Sequence, residues 1–370
     1  MKKYIKPIIT IAILTVFFTY MVNIMGASNM FNTIMNTAYD LLINTVLYIM
    51  AIAVISGAFA GILAYTGVID LVNLVLSPLM RPIYGLPGAA SLGILSTFFS
   101  DNPAIITLVK DKSFTKHFKY YEIPSLCNLG TSFGMGFIVW IFMSSQGSDG
   151  EFIKAATIGL IGAFIGSIIS TRLMIYFSKK KMVSSEVYDY SSSVNDDEEI
   201  VSNILDAALN GGKKGVEVGV QIIPGVLIIC TLVMILTSGP SVIDGVYVYT
   251  GKAYEGIDLI SKFGNGFLII FSKLFGFTNM EAVSFPLTAL GSVGASLGLV
   301  PEFVEKNLVS ANDIAVFTSM GMCWSGYLST HIAMMDSLNM RSLAKTSILT
   351  HTVGGFCAGI SAHILFSIFG

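Results

Sequence analysis

Charge is what this sequence has least of. Of its 370 residues only 12% are Asp, Glu, Lys or Arg, against about 25% in soluble domains. Hydrophobic residues make up 54% and the mean hydropathy is +0.75. That balance points to a chain embedded in a lipid bilayer. Cysteine is scarce too. Cys127, Cys230, Cys323 and Cys357 lie in apolar stretches without metal-like spacing, so they read as small buried residues. No phosphate-binding loop of the Gly-x4-Gly-Lys-Ser/Thr type is present, which argues against an ATP-driven pump. His-Glu-x-x-His and Gly-x-Ser-x-Gly are missing, and the apolar runs hold no paired catalytic carboxylates, so no enzyme is expected. No cofactor or metal is implied. The net charge of −2 gives no reason to expect nucleic acid as a partner.

What is present is a series of long uncharged runs. Those at 8–25, 41–67, 123–146, 155–171, 218–240, 314–335 and 346–370 are each long enough to span, since about 17–25 residues suffice. The first follows Lys2, Lys3 and Lys6 and reads as a retained anchor rather than a cleaved signal. The basic residues set an orientation. With the N-terminus cytoplasmic, Lys110, Lys112, Lys116 and Lys119 fall inside, as do Lys179, Lys180 and Lys181. The C-terminus then lies outside. The count balances only if 83–109 enters and leaves by the same face, as a re-entrant hairpin.

The hairpin's tip is Ser100-Asp101-Asn102-Pro103. Proline removes a donor and pushes its predecessor out of helical geometry. A helix over 89–99 should therefore stop near Asp101, and a second should start at Pro103, where proline suits a first turn. Broken backbone at membrane depth is tolerated only when buried in protein or lining a wet cavity. A carboxylate there points to an ion or solute site. The alternative is that Asp101 merely caps the second half-helix.

The chain repeats itself. Leu92-Gly93 matches Leu290-Gly291, Asn128-Leu129-Gly130 matches Ser319-Met320-Gly321, and Gly162-x-x-x-Gly166 matches Gly355-x-x-x-Gly359. The expected domains are an anchor and outer segment (1–41), a first repeat (42–177), a cytoplasmic linker (178–214) and a second repeat (215–370). Each repeat holds three crossings and one hairpin, so the halves are inverted. The fold class expected is an all-α polytopic membrane protein with about seven spans and two hairpins. This matching sets Leu299-Val300 opposite Asp101-Asn102. Residues 26–40 and 239–276 read as outer segments.

With hairpin and spans in this order, the chain resembles the nucleoside-recognition, or Gate, family of membrane proteins. The resemblance is carried by Ser100-Asp101-Asn102-Pro103, Asn128-Leu129-Gly130-Thr131-Ser132 and Ser319-Met320-Gly321-Met322-Cys323-Trp324-Ser325-Gly326. The layout is also similar to concentrative nucleoside transporters and to fused spore maturation A and B proteins. It implies a moving unit of hairpins and following spans, a homo-oligomeric scaffold (a dimer or trimer), and coupling to sodium or protons. Two functions compete: an ion-coupled transporter of a small polar, nucleoside-like solute, and a non-transporting membrane scaffold.

The candidate site residues follow. Asn128, Thr131 and Ser132 stand as partners for Asp101 and Asn102, with oxygens suited to a hard cation; ordinary interhelical bonding is the alternative. Ser292 and Ser296 sit in the second hairpin. Trp324 and Ser325 hold the matching place in the second half, where an indole either stacks on a solute or simply packs. His331 and His351 lie on late spans and either relay protons or are plain buried histidines.

Overall fold

Glycine and proline punctuate one helix after another. The computed structural model describes residues 2–110, 112–148, 150–182, 203–243, 245–259 and 265–370. Helix α1 (Lys2–Met25) stops at Gly26, whose φ of 80° suits glycine. Helix α2 (Ala27–Asp40) runs through a π-helical turn, Leu41–Val46, into α3 (Leu47–Tyr65). Gly67 starts α4 (Val68–Tyr84), and Gly85, at φ 78°, closes it by donating to the carbonyls of Met80 and Arg81. Then come α5 (Ala90–Phe99), α6 (Pro103–Lys110), α7 (Lys112–Thr115), α8 (Ser125–Thr131), α9 (Gly136–Ser144) and α10 (Ile153–Lys181).

The second half has the same order. Helix α11 (Ile204–Gly225) passes a π-helical turn, Val226–Cys230, into α12 (Thr231–Thr237). A two-stranded antiparallel hairpin, β1 (Ser241–Ile243) and β2 (Val246–Val248), follows. After it come α13 (Asn265–Phe275), α14 (Met280–Ala289), α15 (Val293–Leu297), α16 (Val300–Glu305), α17 (Ala311–Cys323), α18 (Tyr327–Ser337) and α19 (Ala344–Phe369). The protein is an all-α polytopic membrane protein, with α6 folded back on α5 and Ile105 against Gly93.

Equivalent helices of the two halves pack antiparallel, as inversion requires. Along α3 and α11, Gly57 meets Gly211, Gly61 meets Ala207 and Met50 meets Gly219. A Cβ on Gly57 would lie 2.3 Å from the Gly211 carbonyl oxygen. This is the close approach that small-xxx-small faces permit. Along α10 and α19, Gly162 meets Ala362 and Gly166 meets Gly354 and Ala358. Two antiparallel pairs thus frame the molecule.

Four expectations change. Six helical stretches are long and apolar enough to cross a membrane among the described residues, where seven were expected. The run at 314–335 is cut by a turn at Trp324–Gly326 between α17 and α18. The linker is shorter than 178–214. Its ends are helical, because Ala207 and Gly211 already pack on α3; 183–202 lie outside the described residues. The second hairpin breaks first at 290–292 and turns again at Gly298-Leu299, and by element order Gly291-Ser292, not Leu299-Val300, stands opposite Asp101-Asn102. Residues 27–40, expected only as an outer segment, form a helix. Asn29, Thr33, Asn36, Thr37 and Asp40 make a polar stripe that holds the 249–255 segment through bonds to Tyr249, Glu255, Gly251 and Tyr254.

Candidate functional site

Three helix interruptions converge on the side chain of Asn102. The first is its own hairpin tip between α5 and α6. The second separates α8 from α9, where Met135 takes a left-handed φ of 55°. The third separates α17 from α18, where Gly326 takes φ 62°. Met135 and Gly326 are equivalent in the repeat, each lying seven residues beyond the matched pair Asn128 and Ser319. Asn102 is inserted between the two turns. A Cβ on Gly134 would lie 2.2 Å from its Oδ1, and one on Gly326 would lie 2.5 Å from its Nδ2.

The hydrogen bonds fix which way the amide points. Asp101 Oδ1 accepts from the Asn102 backbone N–H at 2.7 Å and from Nδ2 at 2.8 Å. Nδ2 also donates to Ser325 Oγ at 3.1 Å. Both side-chain N–H groups are thereby used. Oδ1 is left buried without a hydrogen-bond partner, an arrangement that is costly unless something binds it. Asp101 is partly exposed and orients this amide. The Asp101, Asn102 and Ser325 oxygens form a small set suited to a hard cation or a solute hydroxyl.

Asn128, Thr131 and Ser132 do not join Asp101. The Asn128 amide faces Ser170 Oγ on α10 at 3.0 Å, Thr350 Oγ1 on α19 at 2.9 Å and the Ser347 carbonyl at 3.2 Å. Its own Oδ1 accepts from the Ser347 hydroxyl. Thr131 and Ser132 donate back to carbonyls of their own helix, Cys127 and Asn128. Gly130, between Asn128 and Thr131, lets Ile105 of the hairpin pack close instead of turning these oxygens toward the tip.

The second hairpin's serines also serve locally. Ser292 caps α15 by accepting from the Ala295 amide at 3.2 Å and packs at Gly225 on α11. Ser296 donates to the Val293 carbonyl. Trp324 is 2% exposed and packs edge-to-face on Phe356, its Nε1 against Gly355. Its Nε1 is buried without a hydrogen-bond partner. Ser325, its neighbour, does reach Asn102.

His331 and His351 are brought together, with ring centroids 4.6 Å apart. His351 Nε2 faces the Cys323 carbonyl and its Nδ1 meets Ser170 Oγ at 2.9 Å. Sequence reasoning missed Ser170, Ser347 and Thr350, which tie this histidine to Asn128. It also missed Gly134 and Gly326. A signal for the glycines was there: each follows a hydroxyl- or sulfur-bearing run inside an apolar span.

A cavity of about 500 Å³ lies beside the tip. Hairpin residues Ser96, Phe99 and Ser100 line one side, and Gly57, Gly61, Asn210 and Lys214 of α3 and α11 line the other. Its size falls within the range of small-molecule sites, about 300–1,000 Å³.

No family model and no curated protein matches this chain. Solved structures do. A doubly substituted form of CNTnw, a concentrative nucleoside transporter, in an outward-facing state is 13% identical. That match covers 87% of this chain and 76% of that one, with a TM-score of 0.50. CNTnw in an inward-facing substrate-bound state is 14% identical over 87% of this chain and 75% of that one, with a TM-score of 0.49. The likeness is one of fold: this chain shares the helical architecture of the outward-facing CNTnw.

Proposed function

We propose that the protein is a secondary transporter that carries a small polar, nucleoside-like solute across the membrane, coupled to a cation gradient. The observation that carries this reading is Asn102, whose buried Oδ1 is left without a partner where three helix interruptions meet. Discontinuous helices at a repeat interface are how secondary transporters build solute and ion sites. A pure scaffold has no use for a carboxylate-oriented amide in that place. The nucleoside-like class comes from the CNTnw fold.

In this reading the hairpins with α8–α10 and α17–α19 move as one body against the frame of α3 and α11, in an elevator-type alternation. The cavity of about 500 Å³ lies on the boundary between the two bodies. The frame also carries the contacts of a homo-oligomer. The N-terminus is cytoplasmic and the C-terminus external.

The test is a thermal-shift screen of purified protein against nucleosides, nucleobases, amino acids and divalent metals, with and without sodium. A ligand raises the melting temperature only if it binds the folded state better than the unfolded one. We expect a nucleoside-class hit that is lost in Asn102→Ala and Asp101→Ala. A hit unaffected by both changes would place the site elsewhere.

A further inference from the structure

The histidine pair sits one step along α18 from the Asn102 site, and its bonding is incomplete. A ring nitrogen facing a carbonyl carries the proton. His351 therefore donates from Nε2 to Cys323, and its Nδ1 accepts from Ser170. His331 donates from Nδ1 to the Tyr327 carbonyl. That leaves His331 Nε2 as a bare acceptor, buried and without a hydrogen-bond partner. The group has a lone pair, no donor and no water-exposed face, so its packing suits the neutral ring alone.

Tyr327 connects this pair to the site. It is the first residue of α18, next to Gly326 and two from Ser325, the residue that Asn102 bonds. Its ring stacks on His351 at 6.0 Å, and its hydroxyl bonds Thr352 on α19. A charge on His331 would be buried with no acceptor, which is costly. The relief open to it is separation of the start of α18 from α19, and that movement carries Ser325 off Asn102.

We propose that His331, paired with His351, is a proton-binding site that controls whether the Ser325-Gly326 turn stays docked on Asn102. One proton from water adds to His331 Nε2 and one only, since two adjacent imidazolium rings repel. This rests on the reading of Asn102 as the working site. The ionisable groups facing the pair are Tyr327 from α18 itself and, from the end of α17, Cys323, whose thiol turns to the Ala163 carbonyl. On α8, Cys127 turns toward Ser347. Asp101 at the hairpin tip is engaged with Asn102. Among the described residues no carboxylate bonds either ring.

The experiment follows the melting temperature of the full chain in detergent from about pH 8 to pH 5, the range histidine titrates. Wild type is expected to lose about 3 °C or more as the pH falls. His331→Gln should flatten that loss to about 1 °C or less on the same scale. His351→Gln, whose amide reproduces the bonds to Ser170 and Cys323, should keep the part of the slope that belongs to His331. A buried ring that stays neutral in the fold gives a slope of the same sign, because it takes up the proton on unfolding. A slope therefore supports the proposal only together with the NMR change below; curves parallel to the His331→Gln curve would overturn it. Histidine-selective nitrogen NMR of the wild type decides the matter even if a variant fails to fold. One buried imidazole of the four should pass from the Nδ1–H form to the doubly protonated form. No such change down to about pH 5 would also overturn it. Ligand shifts are recorded in parallel. Their complete absence would remove the transport reading, while the NMR titration decides the proton site by itself.

Discussion

Asn102 is held by what is missing around it as much as by what it bonds. Gly134 and Gly326 leave room for its amide, and Asp101 sets its direction. Gly134→Ala would put a methyl carbon 2.2 Å from Oδ1. We expect that variant to fold, with unchanged helical circular dichroism, but to bind solute at least about tenfold more weakly, which corresponds to 1.4 kcal/mol. Wild-type affinity would mean that Oδ1 takes no part. Asn128→Ala is expected to act differently. It leaves Ser170, Ser347 and Thr350 short of a buried partner and should cost about 1–3 kcal/mol in stability, seen as a lower denaturation midpoint. The break at Pro103 and the place of Asp101 were legible in the sequence, because proline acts on its own neighbours. The partners of Asn128 were not. A hydroxyl within reach of its own helix bonds there first, and which helix meets an amide is settled by packing.

The frame helices depend on the absence of side chains at their crossing. Gly57 and Gly61, spaced as small-xxx-small, form the face that meets Gly211 and Ala207. Gly57→Val should force α3 and α11 apart, because a Cβ there lies 2.3 Å from a carbonyl oxygen. Overpacking of this kind costs about 1–3 kcal/mol, and the melting temperature in detergent should fall accordingly. The helix at Ala27–Asp40 was hidden. Its polar stripe resembles a loop until the β-hairpin segment that covers it is in place. That segment is organised by Glu255. Burial pushes its pKa up, but hydrogen bonds from Ser241, Thr250 and Gly251 outweigh this and hold it below the ordinary carboxylate value. A lowered folded pKa contributes stability above the unfolded value of about 4.3 and loses it as pH falls below. Proteolysis of the 249–255 segment should therefore accelerate below about pH 4, and Glu255→Gln should remove that pH dependence.

At the scale of the whole molecule, inversion was legible because three crossings and a hairpin per half leave the halves on opposite sides. The run at 314–335 was misread as continuous. Its break at Trp324–Gly326 carries no proline; the one signal is the glycine after a hydroxyl- and sulfur-bearing run, and its positive φ appears only in the fold. Cysteine labelling at Gly67 and at Lys119, which flank the hairpin, should report the same side of the membrane; labelling from opposite sides would contradict the hairpin reading. The most direct measurement is solute uptake by vesicles under imposed sodium and proton gradients, comparing wild type with Asp101→Asn and Asn102→Ala. The expected result is gradient-driven uptake in wild type, lowered at least about tenfold in both variants, with each variant still correctly inserted. Undiminished gradient-driven uptake in both would contradict a site at Asn102.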